Sequence, residues 1–155
     1  MQELLETSDG VYEYRPCGSY SLTDAVALVT HVIAQCRDRA RSPKSRPEGD
    51  YRSAEQEGRP VSKLLIDARG LTDLPIPTLV DRFLMVEEWA QEARGAVVVV
   101  LLVHADYIHP QKFGVKVAAH FGLICDVYNS EAEAQRWLRQ EDGRRLAPWP
   151  QEPTR

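Results

Sequence analysis

The stretch Ala96-Val97-Val98-Val99-Val100-Leu101-Leu102-Val103 decides the fold of this chain. It is an unbroken run of alanine, valine and leucine, too short for the roughly 20 residues that a helix needs to span a bilayer. A short apolar run rich in β-branched residues is typical of a strand buried on both faces of a parallel sheet. We therefore predict that Ala96 to Val103 form the central strand of an α/β domain.

Other short segments have the composition of strands. Lys63-Leu64-Leu65-Ile66-Asp67 is an apolar run that closes on an acid, and Ile124 to Tyr128 is a second apolar segment. Val11 to Arg15 alternates apolar and polar residues, which indicates a strand with one wet face. Leu4-Leu5 predicts an earlier strand, joined to Val11 by a hairpin turn at Ser8-Asp9-Gly10.

Helix start signals and apolar periodicity predict four helices between these strands. Three of them begin with a hydroxyl residue followed three positions later by an acid, as in a capping box: Ser21 with Asp24, Thr78 with Asp81, and Ser130 with Glu133. Pro110 suits the start of the remaining helix, which Gly122 stops. The predicted spans are Leu22 to Arg39, Leu79 to Arg94, Pro110 to Phe121, and Ser130 to Leu138.

The predicted order of elements is ββαβαβαβα. Strands that alternate with helices imply right-handed parallel crossovers, so the fold class is α/β with a mostly parallel four- to five-stranded sheet and an antiparallel edge hairpin. Residues 41–60 are nearly devoid of apolar side chains and predict a flexible insertion. Residues 143–155 are rich in proline and predict a frayed tail. Residues 1–142 should then form a single domain.

Composition excludes several classes of protein. The net charge of −4 disfavours a nucleic-acid-binding face, which is normally basic. The chain starts with neither a basic nor an apolar leader, and no apolar run predicts a membrane span. The three cysteines match no metal-binding or CxxC spacing. We expect a cytoplasmic protein without a cofactor, a metal or a catalytic residue set.

The order of the motifs resembles that of STAS domains, the family of bacterial anti-sigma factor antagonists (SpoIIAA-like) and of the cytoplasmic tails of sulfate transporters. The resemblance rests on Lys63 to Thr72, on the helix that starts at Leu79-Val80, and on Phe113 to Ala118 with the following Gly122-Leu123. Glu131-Ala132-Glu133-Ala134 is similar to the closing section of SpoIIAA-like proteins. The resemblance implies a STAS fold and a non-catalytic regulatory role, exercised by binding a protein partner.

One segment departs from the family pattern. Anti-sigma factor antagonists carry a serine that is phosphorylated just before the second long helix, and the matching stretch here is Leu74-Pro75-Ile76-Pro77-Thr78-Leu79. The serine position falls at Ile76 or Pro77, and neither side chain has a hydroxyl. We therefore expect a module without the phosphoserine switch. Thr78 is either a phosphoacceptor or a plain N-cap, and its pairing with Asp81 favours the cap.

Ligands of parallel α/β sheets bind outside the carboxyl ends of the strands, where two polar loops of this chain should meet. The candidate binding residues in the two loops are Asp67, Arg69, Thr72, Asp73, Thr78, His104, Asp106 and His109. Asp67 and Arg69 are alternatively a structural ion pair, and Asp106 is alternatively a cap for the following helix. The spacing of the two histidines and Asp106 matches no metal-ligand pattern.

Two functions remain open from the sequence. The first is a regulatory or protein-interaction module that contacts its partner through this rim and the second helix, with a homo-oligomer among the open assemblies. The alternative is a small-molecule sensor or enzyme for an anion or nucleotide, which Arg69 and the helix N-termini would hold.

Overall fold

The structure is a computed structural model that describes residues 3–8, 10–40 and 61–141. The strands are β1 (Leu5–Ser8), β2 (Val11–Tyr14), β3 (Cys17–Ser19), β4 (Ser62–Asp67), β5 (Gly70–Thr72), β6 (Val97–Leu102) and β7 (Cys125–Tyr128). The α-helices are α1 (Leu22–Ala40), α2 (Leu79–Ala93), α3 (Phe113–His120) and α4 (Glu131–Gln140). The predicted insertion at 41–60, the tail at 143–155 and Asp9 of the hairpin turn lie outside the described residues.

Five strands form one mixed sheet in the order β1-β2-β4-β6-β7. β1 pairs antiparallel with β2, and the other three pairings are parallel. The α/β class and the antiparallel edge hairpin predicted from the sequence are therefore confirmed. The Ala96–Val103 run supplies an interior strand, β6, but the middle position belongs to β4, which pairs with β2 on one side and β6 on the other.

The unbroken apolar sequences of β4 and β6 follow from burial on both sides of the sheet. On one face, Leu64 and Val99 pack beneath α1, α2 and α3. On the opposite face, Leu65 and Val100 pack beneath α4. Because successive strand side chains point to opposite faces, each of these strands feeds two apolar layers.

The helix ends agree closely with the start signals in the sequence. The Thr78 hydroxyl accepts a bond from the Asp81 amide and the Asp81 carboxylate accepts one from the Thr78 amide, both at 3.0 Å. The N-cap interpretation of Thr78 is therefore confirmed. The Ser21 hydroxyl accepts from the Asp24 amide at 3.0 Å, and Ser130 accepts from Glu133 at 3.4 Å.

The start of α3 was predicted wrongly. The helix begins at Phe113 and not at Pro110, because Lys112 occupies the N-cap in a left-handed conformation with φ of 51°. Asp106 therefore does not cap this helix, since it lies in a separate 3-10 turn spanning Ala105–Tyr107.

Two short strands were not predicted. β3 and β5 contain three residues each and pair with one another in parallel, with Cys17 opposite Gly70. β5 lies inside the segment predicted as a loop, and three mostly exposed residues carry too little periodicity to reveal a strand. Within the described part of the chain, no helix is both long and apolar enough to cross a bilayer.

Candidate functional site

The two loops singled out in the sequence meet at the carboxyl edge of the sheet. One follows β4 and the other follows β6, and these strands are neighbours. The His104 Nε2 atom lies 3.1 Å from the Arg69 carbonyl oxygen. The Tyr107 hydroxyl donates to the Leu74 carbonyl. These two contacts therefore hold the two loops against each other.

Asp67 and Arg69 form a closely bonded ion pair on the rim. Arg69 donates from Nε to Oδ1 and from Nη2 to Oδ2 of Asp67, both at 2.9 Å. Its backbone amide also donates to Asp67 Oδ1 at 3.1 Å. The structural-pair interpretation of these two residues therefore describes their geometry.

Two distant residues complete this ion pair as a network. Arg15 donates to Asp67 at 2.6 Å and to Glu131 at 2.8 Å, and Arg69 also donates to Glu131 at 3.2 Å. Glu13 accepts from both Arg15 and Gln135. Since Glu131 and Gln135 belong to α4, the network fastens the start of that helix to the ends of β2 and β4.

The network also stabilises its carboxylates in the ionised form. Burial alone would raise the pKa of Asp67, but the hydrogen bonds from Arg69 and Arg15 outweigh it and bring that pKa below its ordinary value. The hydrogen bond from Arg15 likewise lowers the pKa of Glu131. Both acids therefore remain charged at neutral pH and neutralise the two guanidinium groups.

The other predicted site residues do not converge on this network. Asp73 accepts from the Ser19 hydroxyl at 3.0 Å, and the Thr72 carbonyl accepts from the Tyr20 amide at 3.4 Å. Asp106 is exposed in the 3-10 turn. In the described ranges no three His, Cys, Asp or Glu side chains are grouped in a way that could hold a metal ion.

His109 belongs to a different place, an apolar cavity on the opposite side of the sheet. The cavity has a volume of about 120 Å³ and lies between the carboxyl ends of the strands and the helices α1, α2 and α3. Its floor is formed by strand side chains and its walls by the inner faces of the helices. The main apolar lining residues are Ile66, Leu101, Val127, Val29, Val86 and Trp89.

A few polar side chains interrupt the apolar wall of this cavity. Lys112 donates to Asp126 at 2.7 Å, and the Tyr128 hydroxyl donates to the same carboxylate at 3.0 Å. Arg82 donates from Nη1 to the Tyr107 carbonyl at 3.1 Å. Arg82 is half-buried, and its partial burial lowers the pKa of its guanidinium.

Sequence reasoning missed Arg82, although a signal for it exists. Arg82 stands four residues before Val86 and seven before Trp89, so it occupies the buried stripe of α2. A charged residue in such a stripe is worth examining. By contrast, no local pattern points to the contacts of Arg15 with Asp67 and Glu131, because those partners lie 52 and 116 positions away.

The outer face of α2 carries an exposed apolar patch, which we call the α2 outer surface. Its members and exposed fractions are Ile76 (56%), Leu79 (51%), Val80 (66%), Phe83 (40%) and Leu84 (55%). The spacing of four between Leu79 and Phe83, and between Val80 and Leu84, stacks these side chains on one side of the helix. The patch therefore adjoins the loop that leads from the rim into α2.

No protein-family model, curated protein or solved structure matches this chain.

Proposed function

We propose that this chain is a non-catalytic regulatory module of the STAS type that binds a protein partner through the α2 outer surface. The observation that carries the proposal is the run of exposed large apolar side chains from Ile76 to Leu84. Contiguous apolar surface is unfavourable in water and commonly marks an interaction site. The resemblance of the motif order to anti-sigma factor antagonists supports the same role.

The charge beside the patch indicates the chemistry of the partner. Glu87 lies four residues after Phe83 and seven after Val80, so it continues the same face with a carboxylate. The chain as a whole has a net charge of −4. A partner surface with an apolar centre and a basic margin would complement both features.

The local sequence argues for binding without a phosphoserine switch. Ile76 and Pro77 occupy the position at which the resembling family carries its serine. The neighbouring Thr78 hydroxyl is bonded to the Asp81 amide. Phosphate on Thr78 would stand beside the Asp81 carboxylate and disturb this cap by like-charge repulsion.

The alternative function, an anion or nucleotide sensor or enzyme at the rim, has weaker support at Arg69. The Arg69 guanidinium already contacts Asp67 and Glu131, so an anion there would have to displace a carboxylate. The capping box likewise binds the Asp81 amide at the start of α2. Arg69 and the Asp81 amide are therefore already bonded within the chain.

Affinity capture with matched variants tests the proposal. The wild-type protein, Leu84→Asp and Leu5→Asp are immobilised, and retained proteins from the native lysate are compared. Leu5 is the control, because its side chain is 58% exposed on β1 against 55% for Leu84 on α2. A partner is then purified and its affinity for each variant is measured by titration.

We expect wild type and Leu5→Asp to bind the partner equally, and Leu84→Asp to bind about tenfold or more weakly, since a charge would be buried at the centre of the contact. Equal affinity for all three proteins would refute the assignment to α2, as would the absence of any purified binary complex. Sedimentation of the same variants shows whether the partner is a second copy of this chain.

A further inference from the structure

We propose that the apolar cavity binds a small monocarboxylate whose apolar body fills the cavity and whose carboxylate pairs with Arg82. The inference goes beyond the proposed function, because the cavity faces the inner side of α2 and the partner surface lies on its outer side. The two sites are tested by different variants.

The size and lining of the cavity indicate the apolar part of the ligand. An engineered apolar cavity of about 150 Å³ in another protein stays dry and binds benzene. The cavity here is comparable, at about 120 Å³, and its floor is made by Ile66, Leu101 and Val127. An apolar body of about six carbon atoms matches that volume.

Arg82 supplies the polar part of the recognition. Its Nη1 atom donates to the Tyr107 carbonyl, while among residues 3–8, 10–40 and 61–141 no carboxylate lies within ion-pair distance of its guanidinium. A charge that is partly removed from water normally has a charged partner. Arg15, Arg37 and Arg69 each contact carboxylates, whereas the half-buried Arg82 contacts a backbone carbonyl.

The arrangement favours a carboxylate over a phosphate or a nucleotide. A guanidinium presents a planar fork of donors that fits one carboxylate in a bidentate manner. The other cation on the wall, Lys112, is already neutralised by Asp126 at 2.7 Å. A phosphate dianion would lack a second free cation in the described part of the wall, and a nucleotide would exceed the cavity volume.

Two variants and three probes separate the contributions. Hexanoate carries both the apolar body and the charge, hexanol carries only the body, and acetate carries essentially only the charge. Arg82→Gln removes the cation but keeps a side-chain donor for the Tyr107 carbonyl. Ala25→Leu adds three carbon atoms to a buried residue that lines the cavity. Arg136→Gln is the matched control on an exposed position of α4.

Binding is measured by calorimetric titration at pH 7 on the folded full-length chain. We expect hexanoate to bind wild type and Arg136→Gln equally, and Arg82→Gln about tenfold or more weakly, since a charge-assisted pair is lost. Hexanol should bind wild type and Arg82→Gln alike, and Ala25→Leu should bind neither probe.

Three results would overturn the proposal. They are an absence of hexanoate binding to the wild-type protein, equal hexanoate affinity in Arg82→Gln, and binding that persists unchanged in Ala25→Leu. Acetate binding as strong as that of hexanoate would also count against it, because the cavity would then contribute nothing. Circular dichroism of each variant confirms that a loss of binding is not a loss of fold.

Discussion

At the scale of single residues, the carboxylate of Asp67 lies at the centre of the ion-pair network. Asp67 is only 8% exposed, yet it accepts four hydrogen bonds, three from Arg69 and one from Arg15. The arginine partners stabilise this buried carboxylate in the folded state. If they are removed, the unpaired charge destabilises the folded state. Asp67 is therefore the residue through which pH should act on stability.

Asp67→Asn should lower the free energy of unfolding by about 2–3 kcal/mol at pH 7, because charged hydrogen bonds to two arginines are lost. Urea unfolding monitored by tryptophan fluorescence measures the change. Asp106→Asn, which alters an exposed residue, is the control and should change the free energy by less than about 0.5 kcal/mol. A loss as small as that of the control would show that the network contributes no net stability.

The same network predicts how stability depends on pH. The pKa of Asp67 is lowered from 3.8 in the folded chain, and that of Glu131 is lowered as well. As the pH falls, the unfolded chain takes up these protons first, so folding loses stability below about pH 5. Unfolding curves from pH 7 to pH 3 should show a smaller decline for Asp67→Asn than for wild type. Parallel declines would contradict the lowered pKa of Asp67.

Thr78 is the second residue with a sharply defined role. Thr78→Ala removes the hydroxyl that binds the Asp81 amide, and should lower the free energy of unfolding by about 1 kcal/mol. Thr78→Ser keeps the hydroxyl and should retain most of the stability. The free energies of unfolding of both variants are measured by chemical denaturation. Equal stability of the alanine and serine variants would show that the hydroxyl cap contributes nothing to the stability of the fold.

At the scale of elements, α2 has two faces with different tasks. Its inner face packs Val86, Trp89 and Ala90 into the core, and its outer face exposes the α2 outer surface. Trp89 is 5% exposed and also donates from Nε1 to the Val26 carbonyl at 3.3 Å. The helix therefore belongs to the core through one side and is available to a partner through the other.

Because the two faces of α2 differ in burial, truncating a side chain on each face should change the free energy of unfolding by very different amounts. Trp89→Ala should lower the free energy of unfolding by about 3–5 kcal/mol, since it leaves a cavity in the core. Leu84→Ala should change it by less than about 0.5 kcal/mol. Guanidinium denaturation measures both variants. A large loss in Leu84→Ala would mean that the outer face is covered in the folded chain, and it would remove the basis of the partner surface.

At the scale of the whole molecule, the sheet is covered unequally. Among the described residues, α1, α2 and α3 cover one face and α4 covers the other, with Ala134 and Leu138 as its buried contacts. The three cysteines differ in how far the fold buries them. Cys36 lies fully buried on the inner face of α1, and burial raises the pKa of both Cys36 and Cys125 to about 12. Cys17 is exposed on β3.

Thiol alkylation should therefore separate the cysteines in the native protein. At pH 8, iodoacetamide should modify Cys17 rapidly, and should modify Cys36 and Cys125 at least about hundredfold more slowly, because the thiolate is the reactive form. Mass spectrometry of digested samples gives the rates. A Cys17→Ser variant is the control, and rapid alkylation of that variant under native conditions would show that the core around the other two thiols opens readily.

Local signals account for most of the correct predictions from sequence. The capping box at Thr78, the helix from Leu22 and the strand after Ala96 depend on residues close to one another in the chain, and all three are present. The failures have local causes too. Lys112 adopts a left-handed conformation that delays α3, and β5 is too short to show periodicity.

The sequence by itself determined the α/β class, the starts of α1, α2 and α4, and the two loops of the rim, because periodicity and capping act over a few residues. Only the tertiary structure decided that Arg15 and Glu131 join Asp67, and that Arg82 and the carboxyl ends of three strands enclose a cavity. Those contacts depend on which face of the sheet each side chain reaches and on partners far apart in the chain. Short-range patterns do not encode that information.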